Sequence, residues 1–597
     1  MSTPPMTPLP PVGGKKDKFT PEMRILVASL LSMVVFLGWT KYFGPKPAVN
    51  QPSVNQPVAT GTTSPGATNS VTPPVTKVPP TIAAARAATA APSSTPVIAD
   101  SEERAVVVEN ALYRVEFSNR GAMVKSWQLK KYKDDFKDDK GRSQQRVLDL
   151  VNPGLQHEAE RWPFSLVFDD PQLEKTANTS LYKVTGEGSP DLKFTFSDGH
   201  LEISKTFHFD DSYVVNVETT SSNNGSRVLS GLAWRGWFGD WTVSDPAPAT
   251  TINTFYSENG KLSTFLAKKL DSPEKWGNIW QGGKTFTGIE DRYFTATFLA
   301  PQNAMTTPLE TRYWKVWSQR TVKGKEQSEP LPEVATATSA EPMAMRVYVG
   351  PKDYDDLKAM HPPLNSLVSF GWMEFIADPL FHGLKWLHKY IPNWGWTIVV
   401  LTLVINMLLF PLRISSYKTT MKMQRVGPEI KQIQEKYKKY KLNDPRKAEM
   451  NKEVMAIYQR EGINPVGGCF QMFLQMPIWF GLNTALRGAI ELRHATWLWI
   501  HDLASADPYY ILPVVVGVTM YLVSKMTPMT TTDPQQAQMM KIMPISFAIM
   551  FVVFPFSSGL ALYILTSSLV GILQQWYLNR THPLPAPAKL ARTNAKK

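Results

Sequence analysis

The apolar positions of the chain are concentrated in six runs. Each run is long and apolar enough to be weighed as a membrane span, although the fourth and fifth are short. The runs cover residues 25–43, 396–412, 468–486, 510–525, 542–556 and 560–578. This pattern predicts a multi-domain membrane protein, with a transmembrane anchor near the N-terminus and an α-helical membrane core at residues 394–580.

Two segments of different character lie between the first and second runs. Residues 44–104 are rich in Pro, Thr, Ala, Val and Ser and nearly free of charge, so they predict a disordered linker. Residues 105–350 contain short runs of alternating apolar and polar residues, such as YRVEFS and HLEISKTFHF, separated by Gly, Asn and Asp. That alternation is typical of strands, and it predicts a large all-β domain built as a sandwich.

A candidate interfacial helix at residues 372–391 precedes the second run. Its sequence, WMEFIADPLFHGLKWLHKYI, separates an apolar from a basic side when wound as a helix. The apolar side is marked by Phe375, Leu380, Leu384, Trp386 and Leu387, and the polar side by Lys385, His388 and Lys389. We expect this helix to lie along the outer surface of the membrane. The alternative is a helix that packs on the β domain.

Basic residues next to the apolar runs predict the orientation of the chain. The segment GGKKDKF precedes the first run, so the positive-inside rule places residues 1–24 in the cytoplasm and the β domain outside. Counting spans places the loop 413–461 and the tail 581–597 inside, and both are basic. We therefore predict a six-span topology with both termini in the cytoplasm. The formal net charge of +13 agrees with this distribution.

The basic loop at residues 413–461 predicts a cytoplasmic helical hairpin. Its apolar residues recur at steps of three and four on both sides of the breaker KLNDPR, as in two paired helices. These residues are Val426, Ile430, Ile433, Tyr437 and Tyr440 before the breaker, and Met450, Val454 and Ile457 after it. The hairpin is either a solvated element or a docking surface for an acidic partner such as ribosomal RNA or lipid headgroups. Charge alone leaves both open.

Three of the spans carry polar residues at helical spacing. These residues are Thr402, Asn406 and Arg413 in the second span, Gln471 and Gln475 in the third, and Tyr563, Thr566 and Ser567 in the last. Within each span they share one face of the helix. Polar groups are unfavourable in hydrocarbon and face a neighbouring helix or a water-filled cavity. Hydrogen bonds between helices and a shared hydrated groove are therefore both open.

Several classes of function are disfavoured by the residues that are missing. No Asp or Glu lies in the second to sixth runs, which counts against an ion-coupled channel or transporter. The single cysteine, Cys469, excludes an internal disulfide and a Cys-based zinc site, and the nine histidines are scattered. No nucleotide-binding loop or hydrolase motif is present. We expect no catalytic residue, metal or cofactor, so a carbohydrate-active enzyme on a membrane tether is the weakest alternative.

Long motifs in the C-terminal half resemble a known family. The segments INPVGGCFQMFLQMPI, ELRHATWLWIHDLASADPYYILPVVVGVTM and TTTDPQQAQMMKIMPI are similar to the core of the YidC/Oxa/Alb membrane-protein insertases. The likeness covers about residues 370–578, and the anchor, linker and β domain match the arrangement of Gram-negative members. It implies a non-enzymatic insertase and chaperone of the bacterial inner membrane with a periplasmic supersandwich domain. A channel or transporter is the alternative.

The resemblance also implies a mechanism and partners. Family members are thought to insert nascent membrane proteins through a hydrophilic groove that opens to the cytoplasm and the lipid but is closed toward the outside. By this likeness the groove residues are Thr402, Asn406, Arg413, Gln471, Gln475, Tyr563 and Thr566, and Met476 and Pro477 form a slide for the apolar part of the substrate. The implied partners are nascent membrane proteins, the Sec translocon, membrane lipids, and the ribosome through the basic hairpin and tail. Direct DNA binding is not expected.

Asn406 departs from the pattern of the family. Most members place an arginine at this point of the second span, whereas Thr402 and Tyr563 match the family. Phe410 and Ile564 stand where relatives often carry tyrosines. We therefore expect Arg413, which lies about two turns or roughly 10 Å further along the helix, to supply the positive charge of the groove.

Overall fold

The computed structural model describes residues 96–582 with internal gaps. The gaps are residues 138–142, 152–160, 241–251, 271–278, 303–307, 323–324, 340–341, 441–443, 464–469, 528–545, 547–549 and 551–555. The predicted anchor, most of the linker, nearly all of the fifth span and all but the start of the C-terminal tail therefore lie outside the described residues.

Nineteen strands are described between residues 105 and 351. They are β1 Ala105–Glu109, β2 Tyr113–Ser118, β3 Met123–Lys137, β4 Ser143–Asp149, β5 Ser165–Val167, β6 Lys183–Thr185, β7 Asp191–Ser197, β8 Leu201–Phe209, β9 Val214–Asn223, β10 Ser226–Arg227, β11 Gly231–Trp234, β12 Asn253–Glu258, β13 Lys261–Leu266, β14 Gln281–Lys284, β15 Phe286–Glu290, β16 Phe294–Leu299, β17 Leu309–Val322, β18 Lys325–Ala337 and β19 Met343–Pro351. They form sheets of four, ten and five strands. The predicted β-rich domain is confirmed.

The three sheets share one aromatic core. The alternation of strands such as β8 places every second side chain inside, as expected for a sheet with one buried face. Trp127 of β3 stacks on Phe164 at 6.1 Å between ring centroids, and Phe164 in turn meets Phe207 of β8 and Trp234 of β11. Because each ring belongs to a different sheet or connection, this core holds the sheets face to face.

Eight α-helices are described, two of them within or just after the β domain. They are α1 Pro171–Thr179, α2 Tyr354–Ala359, α3 Glu374–His388, α4 Trp394–Lys436, α5 Arg446–Arg460, α6 Phe470–Gly488, α7 Ile511–Met526 and α8 Ser558–Thr581. The helices α4 and α8 are long and apolar enough to cross a membrane, and α7 is apolar but shorter. The chain is thus β-rich up to residue 351 and helical beyond it.

Helix α4 continues beyond the predicted end of the second span at residue 412. Its 43 residues extend without a break through Arg413, where the sequence changes from apolar to basic. At 1.5 Å per residue it is about 65 Å long, twice the roughly 30 Å of a bilayer's hydrocarbon. Hydropathy marked a change of surroundings, whereas helix continuity depends on local backbone hydrogen bonds. The first helix of the hairpin is therefore the end of α4.

The two helices of the hairpin pack through apolar residues. Val426 and Ile430 of α4 are buried against Val454 and Ile457 of α5. The ion pairs Arg460–Glu429 and Lys436–Glu453 flank this contact at 2.7 and 3.0 Å. Tyr437 and Tyr440 were predicted to continue the first helix, but α4 ends at Lys436 and their rings instead contact each other at 6.1 Å.

The apolar side predicted for α3 is divided between two faces. Leu384, with Ala377 and Phe381, is buried, whereas Phe375 is 71% and Trp386 58% exposed. The buried face packs on α6, where a side chain on Gly481 would lie 2.7 Å from Ile376 Cγ2. The helix therefore packs mainly on the helical core and keeps a second apolar face exposed.

The loop 489–510 covers the start of α4. A Cβ on Gly395 would lie 2.2 Å from Trp497 Cδ1, so only glycine fits beneath this buried indole.

We expect Gly395→Ala to lower the free energy of unfolding by about 1–3 kcal/mol, because overpacking must displace Trp497. Thermal unfolding in detergent measures this effect. Gly383→Ala is the control, since its Cβ would meet only Leu401 Cδ1 at 3.7 Å; equal losses for both variants would contradict the prediction.

Candidate functional site

A polar seam joins α4 to α8. Asn406 Nδ2 donates to Ser567 Oγ at 3.3 Å, and Arg413 Nη1 donates to Gln574 Oε1 at 2.8 Å. In each pair the two residues are 161 positions apart in the sequence. Because this offset is the same at both contacts, α4 and α8 run in the same direction. The predicted stripe of the second span thus faces the stripe of the last span.

Within the described part of the chain, the guanidinium of Arg413 is held by neutral groups. Besides Gln574, it donates from Nη2 to Gly571 O at 3.2 Å, and Gln574 Nε2 donates to Asn406 O at 3.2 Å. A Cβ on Gly571 would stand 3.4 Å from the guanidinium, so glycine lets the arginine lie against the backbone of α8. Among the described residues no carboxylate forms an ion pair with Arg413. The site therefore carries a positive charge without a visible counter-ion.

Thr402 and Thr566 each make a hydrogen bond within their own helix rather than to another described helix. Thr402 Oγ1 donates to Ile398 O at 2.7 Å, and Thr566 Oγ1 donates to Leu562 O at 2.9 Å. Each hydroxyl therefore returns its hydrogen bond to its own helix, a common way to satisfy a buried threonine. Both residues are buried beside the seam and make its surface more polar without linking α4 to α8.

Gln475 and Tyr563 connect α6 to α8. Gln475 Nε2 donates to the Tyr563 hydroxyl at 2.6 Å, and Tyr563 is fully buried. Near the other end of α6, Leu486 Cδ1 would meet a Cβ on Gly559, so α6 runs opposite to α8. Of the other predicted residues, Met476 and Pro477 are half-buried in α6. The side chain of Gln471 lies outside the described residues.

A second polar cluster, which the sequence reasoning missed, ties the helix ends together. The Tyr417 hydroxyl donates to Asn579 Oδ1 at 2.9 Å, and Gln575 Nε2 donates to the same oxygen at 2.9 Å. Asn579 Nδ2 donates to Met526 O at 3.2 Å, which satisfies a carbonyl at the end of α7. Asn579 thus joins α4, α7 and α8. Gln574 was also missed, although Ser567 and Gln574 repeat the seven-residue spacing of Asn406 and Arg413.

The loop 489–510 covers the opposite ends of these helices. Ser558 N donates to Ser505 O at 2.6 Å and Gly559 N to Leu503 O at 2.8 Å, so the loop satisfies two amides at the start of α8. Asn393 Nδ2 donates to Thr496 O at 3.0 Å beside the start of α4. The helix bundle is therefore closed by packed residues at the end where α4, α7 and α8 begin.

Comparisons with known proteins agree with the two-part architecture. Residues 386–585 match the family described as 60Kd inner membrane protein, and residues 105–383 match the family described as YidC periplasmic domain. Among solved structures, an active YidC insertase with its first transmembrane domain resolved aligns with 81% of this chain and 95% of its own length. Its sequence identity is 18% and the TM-score is 0.35.

Two relatives show how far the sequence likeness extends. A membrane protein insertase YidC from Geobacter metallireducens is 32% identical over 569 residues, which are 94% of this chain and 98% of that protein. One from Geobacter sulfurreducens is 34% identical over 478 residues, which are 79% of this chain and 85% of that protein. The resemblance read from the motifs is confirmed, and the chain belongs to the YidC family of membrane protein insertases.

Proposed function

We propose that this protein inserts apolar segments of nascent membrane proteins into the bacterial inner membrane, and that the seam of α4 and α8 lines a groove for their polar flanks. The observation that carries the proposal is Arg413, held by Gln574 and Gly571 with no carboxylate partner among the described residues. A charge without a counter-ion inside an apolar helix bundle is unfavourable and usually marks a functional site.

Helix direction supports the proposed six-span core. Asn579 lies against Met526, so α7 and α8 end on the same side, while α8 begins beside the loop that precedes α7. We propose a fifth span at residues 542–556 from its apolar sequence, since nearly all of it lies outside the described residues. The opposite direction of α6 agrees with the proposed third span.

The two ends of the bundle support different roles. The loop 489–510 would close the groove toward the periplasm, while α4 and α5 project from the other end as the proposed cytoplasmic hairpin. We assign contact with the ribosome to the basic hairpin and tail. The exposed Phe375 and Trp386 of α3 suit contact with lipids, because aromatic side chains favour the membrane interface. Association with the Sec translocon is proposed from the family alone.

The energy for insertion would come from the substrate. Burial of its apolar segment in lipid is favourable by about 25 cal/mol for each Å² removed from water. The barrier lies in moving its polar flanks through hydrocarbon. Amide, hydroxyl and guanidinium groups of the seam would replace part of their hydration, so the protein lowers the barrier without a cofactor. Met476 and Pro477 of α6 would contact the apolar part of the substrate.

Reconstitution tests this function directly. The full-length protein in liposomes is given a short one-span or two-span substrate, and protease-protected substrate is measured. We expect protected substrate well above the level in protein-free liposomes. Equal protection in both samples would show that the protein is not an insertase under these conditions and would favour a channel or transporter.

Removal of most of residues 105–330 should leave insertion largely intact. The proposed groove and slide residues all lie beyond residue 393, and their described contacts stay within the helical core. The same liposome assay compares the truncated and full-length proteins at equal reconstituted amounts. Total loss of protected substrate would place an essential part of the mechanism in the β domain.

A further inference from the structure

Arg493 of the loop 489–510 is buried against the β domain. Its side chain is 4% exposed and that of Asp240 is 1% exposed, and Arg493 Nε donates to Asp240 Oδ2 at 3.0 Å. The guanidinium also donates to Lys133 O and lies 5.7 Å from the centre of the Phe294 ring. These contacts come from three separate parts of the β domain, so the β domain encloses the guanidinium of Arg493.

The β domain holds Asp240 in a defined position. Asp240 N donates to Asp291 Oδ2 at 2.7 Å, while Asp291 Oδ1 accepts from Tyr293 N and Phe294 N at 2.8 and 2.6 Å. Gly239 has a φ of +89°, and a Cβ there would lie 2.2 Å from Asp291 Oδ2. Only glycine fits this close approach. Burial raises the pKa of Asp291 to about 6.

A second ionic contact lies beside the first. Lys385 of α3 pairs with Asp355 at 2.7 Å and with Glu491 at 3.0 Å. Burial alone would lower the pKa of Lys385, but these two carboxylates outweigh it and raise that pKa. Glu491 and Arg493 are two residues apart in the loop. Glu491 ties this short segment to α3, and Arg493 ties it to the β domain.

We propose that the β domain braces the loop 489–510, with Arg493 and Asp240 as the positioning residues. A buried charge that loses its partner is strongly unfavourable. The loop is therefore held in the position in which the guanidinium of Arg493 contacts Asp240. Loss of the pair would release the loop from the ends of α4 and α8 without changing the seam itself. The brace therefore concerns closure of the groove and not the insertion step, which removal of residues 105–330 tests. The inference rests on the proposed function only in making this loop the closed end of the groove.

The test measures loop closure without any substrate, so its result is independent of insertion. The full chain carries Cys469→Ser and Leu503→Cys, since Leu503 is a residue of the loop whose side chain is fully buried. It is placed in lipid nanodiscs and labelled with a water-soluble maleimide. We expect Asp240→Asn and Arg493→Gln each to increase the labelling rate at least about tenfold. The double variant buries no unpaired charge. Its labelling rate should therefore increase by a smaller factor than the product of the two factors measured for the single variants.

A matched control breaks a different ion pair of the β domain. Arg235 pairs with Glu174 at 2.8 Å, and neither has a contact with the loop among the described residues, so Glu174→Gln should leave the labelling rate unchanged. Single variants that label at the parent rate, or effects that simply multiply in the double variant, would overturn the proposal. If a single variant does not fold, the double variant decides: it must label faster than the parent, and a parent rate would overturn the proposal.

Discussion

Arg413→Ala should reduce the insertion of substrates with acidic flanks by at least about tenfold and affect neutral flanks much less. Opposite charges about 4 Å apart attract by roughly 4 kcal/mol at an effective dielectric constant of 20. A tenfold effect needs only about 1.4 kcal/mol, so even a partly hydrated contact is sufficient. The measurement is protease-protected substrate in liposomes, with matched substrates that differ only in the charge of the flank.

Three further variants separate charge from structure. Arg425→Ala removes an exposed arginine from the same helix and should change neither substrate. Arg413→Lys keeps the charge but lacks the planar fork that reaches both Gln574 and Gly571, so an intermediate loss is expected. Asn406→Arg should restore insertion to Arg413→Ala. If Arg413→Ala inserts acidic and neutral substrates equally well, the groove works through polarity alone.

Tyr563→Ala should both destabilise the helical core and abolish insertion. The ring is fully buried, and loss of a buried aromatic ring costs about 3–5 kcal/mol through lost packing. The same variant leaves Gln475 without its hydroxyl partner, which removes the hydrogen bond between α6 and α8. Thermal unfolding in detergent and the liposome assay measure the two effects.

Tyr563→Phe distinguishes the ring from the hydroxyl. It retains the packing, so the midpoint of thermal unfolding should fall by far less than in Tyr563→Ala. If the contact with Gln475 is used in insertion, Tyr563→Phe and Gln475→Leu should reduce insertion to a similar degree, and the double variant should be no worse than either. Independent effects in the double variant would show that the hydrogen bond has no functional role.

Local patterns in the sequence were sufficient for most elements. Alternation predicted the strands of the β domain, and apolar runs predicted the ends of α7 and α8 to within three residues, because both signals depend on neighbouring positions. The change in polarity near residue 413 did not show that α4 continues unbroken from the predicted second span into the hairpin. The local pattern failed at α3, whose apolar residues serve two faces that a single-sided pattern cannot separate.

The candidate site was predicted in part. Thr402, Asn406, Arg413, Gln475, Tyr563 and Thr566 do lie at or beside the contacts of α4 and α6 with α8. Gln574, the partner of Arg413, and Asn579, which contacts Tyr417 and Met526, were missed. Both lie at the more polar end of α8, where polar residues are not unusual. The sequence left two interpretations of the polar residues open, interhelical hydrogen bonds and a hydrated groove. The seam contains interhelical hydrogen bonds, and Arg413 retains a charge that they do not neutralise.

The sequence alone determined the family, the division into β-rich and helical parts, and the faces on which polar residues lie, since composition, periodicity and motifs are properties of neighbouring residues. The tertiary structure decided which of those residues meet. Asn406 and Ser567 are 161 residues apart, and Arg493 and Asp240 are 253 apart. Such contacts depend on the packing of whole helices and sheets, and no spacing within one segment encodes them.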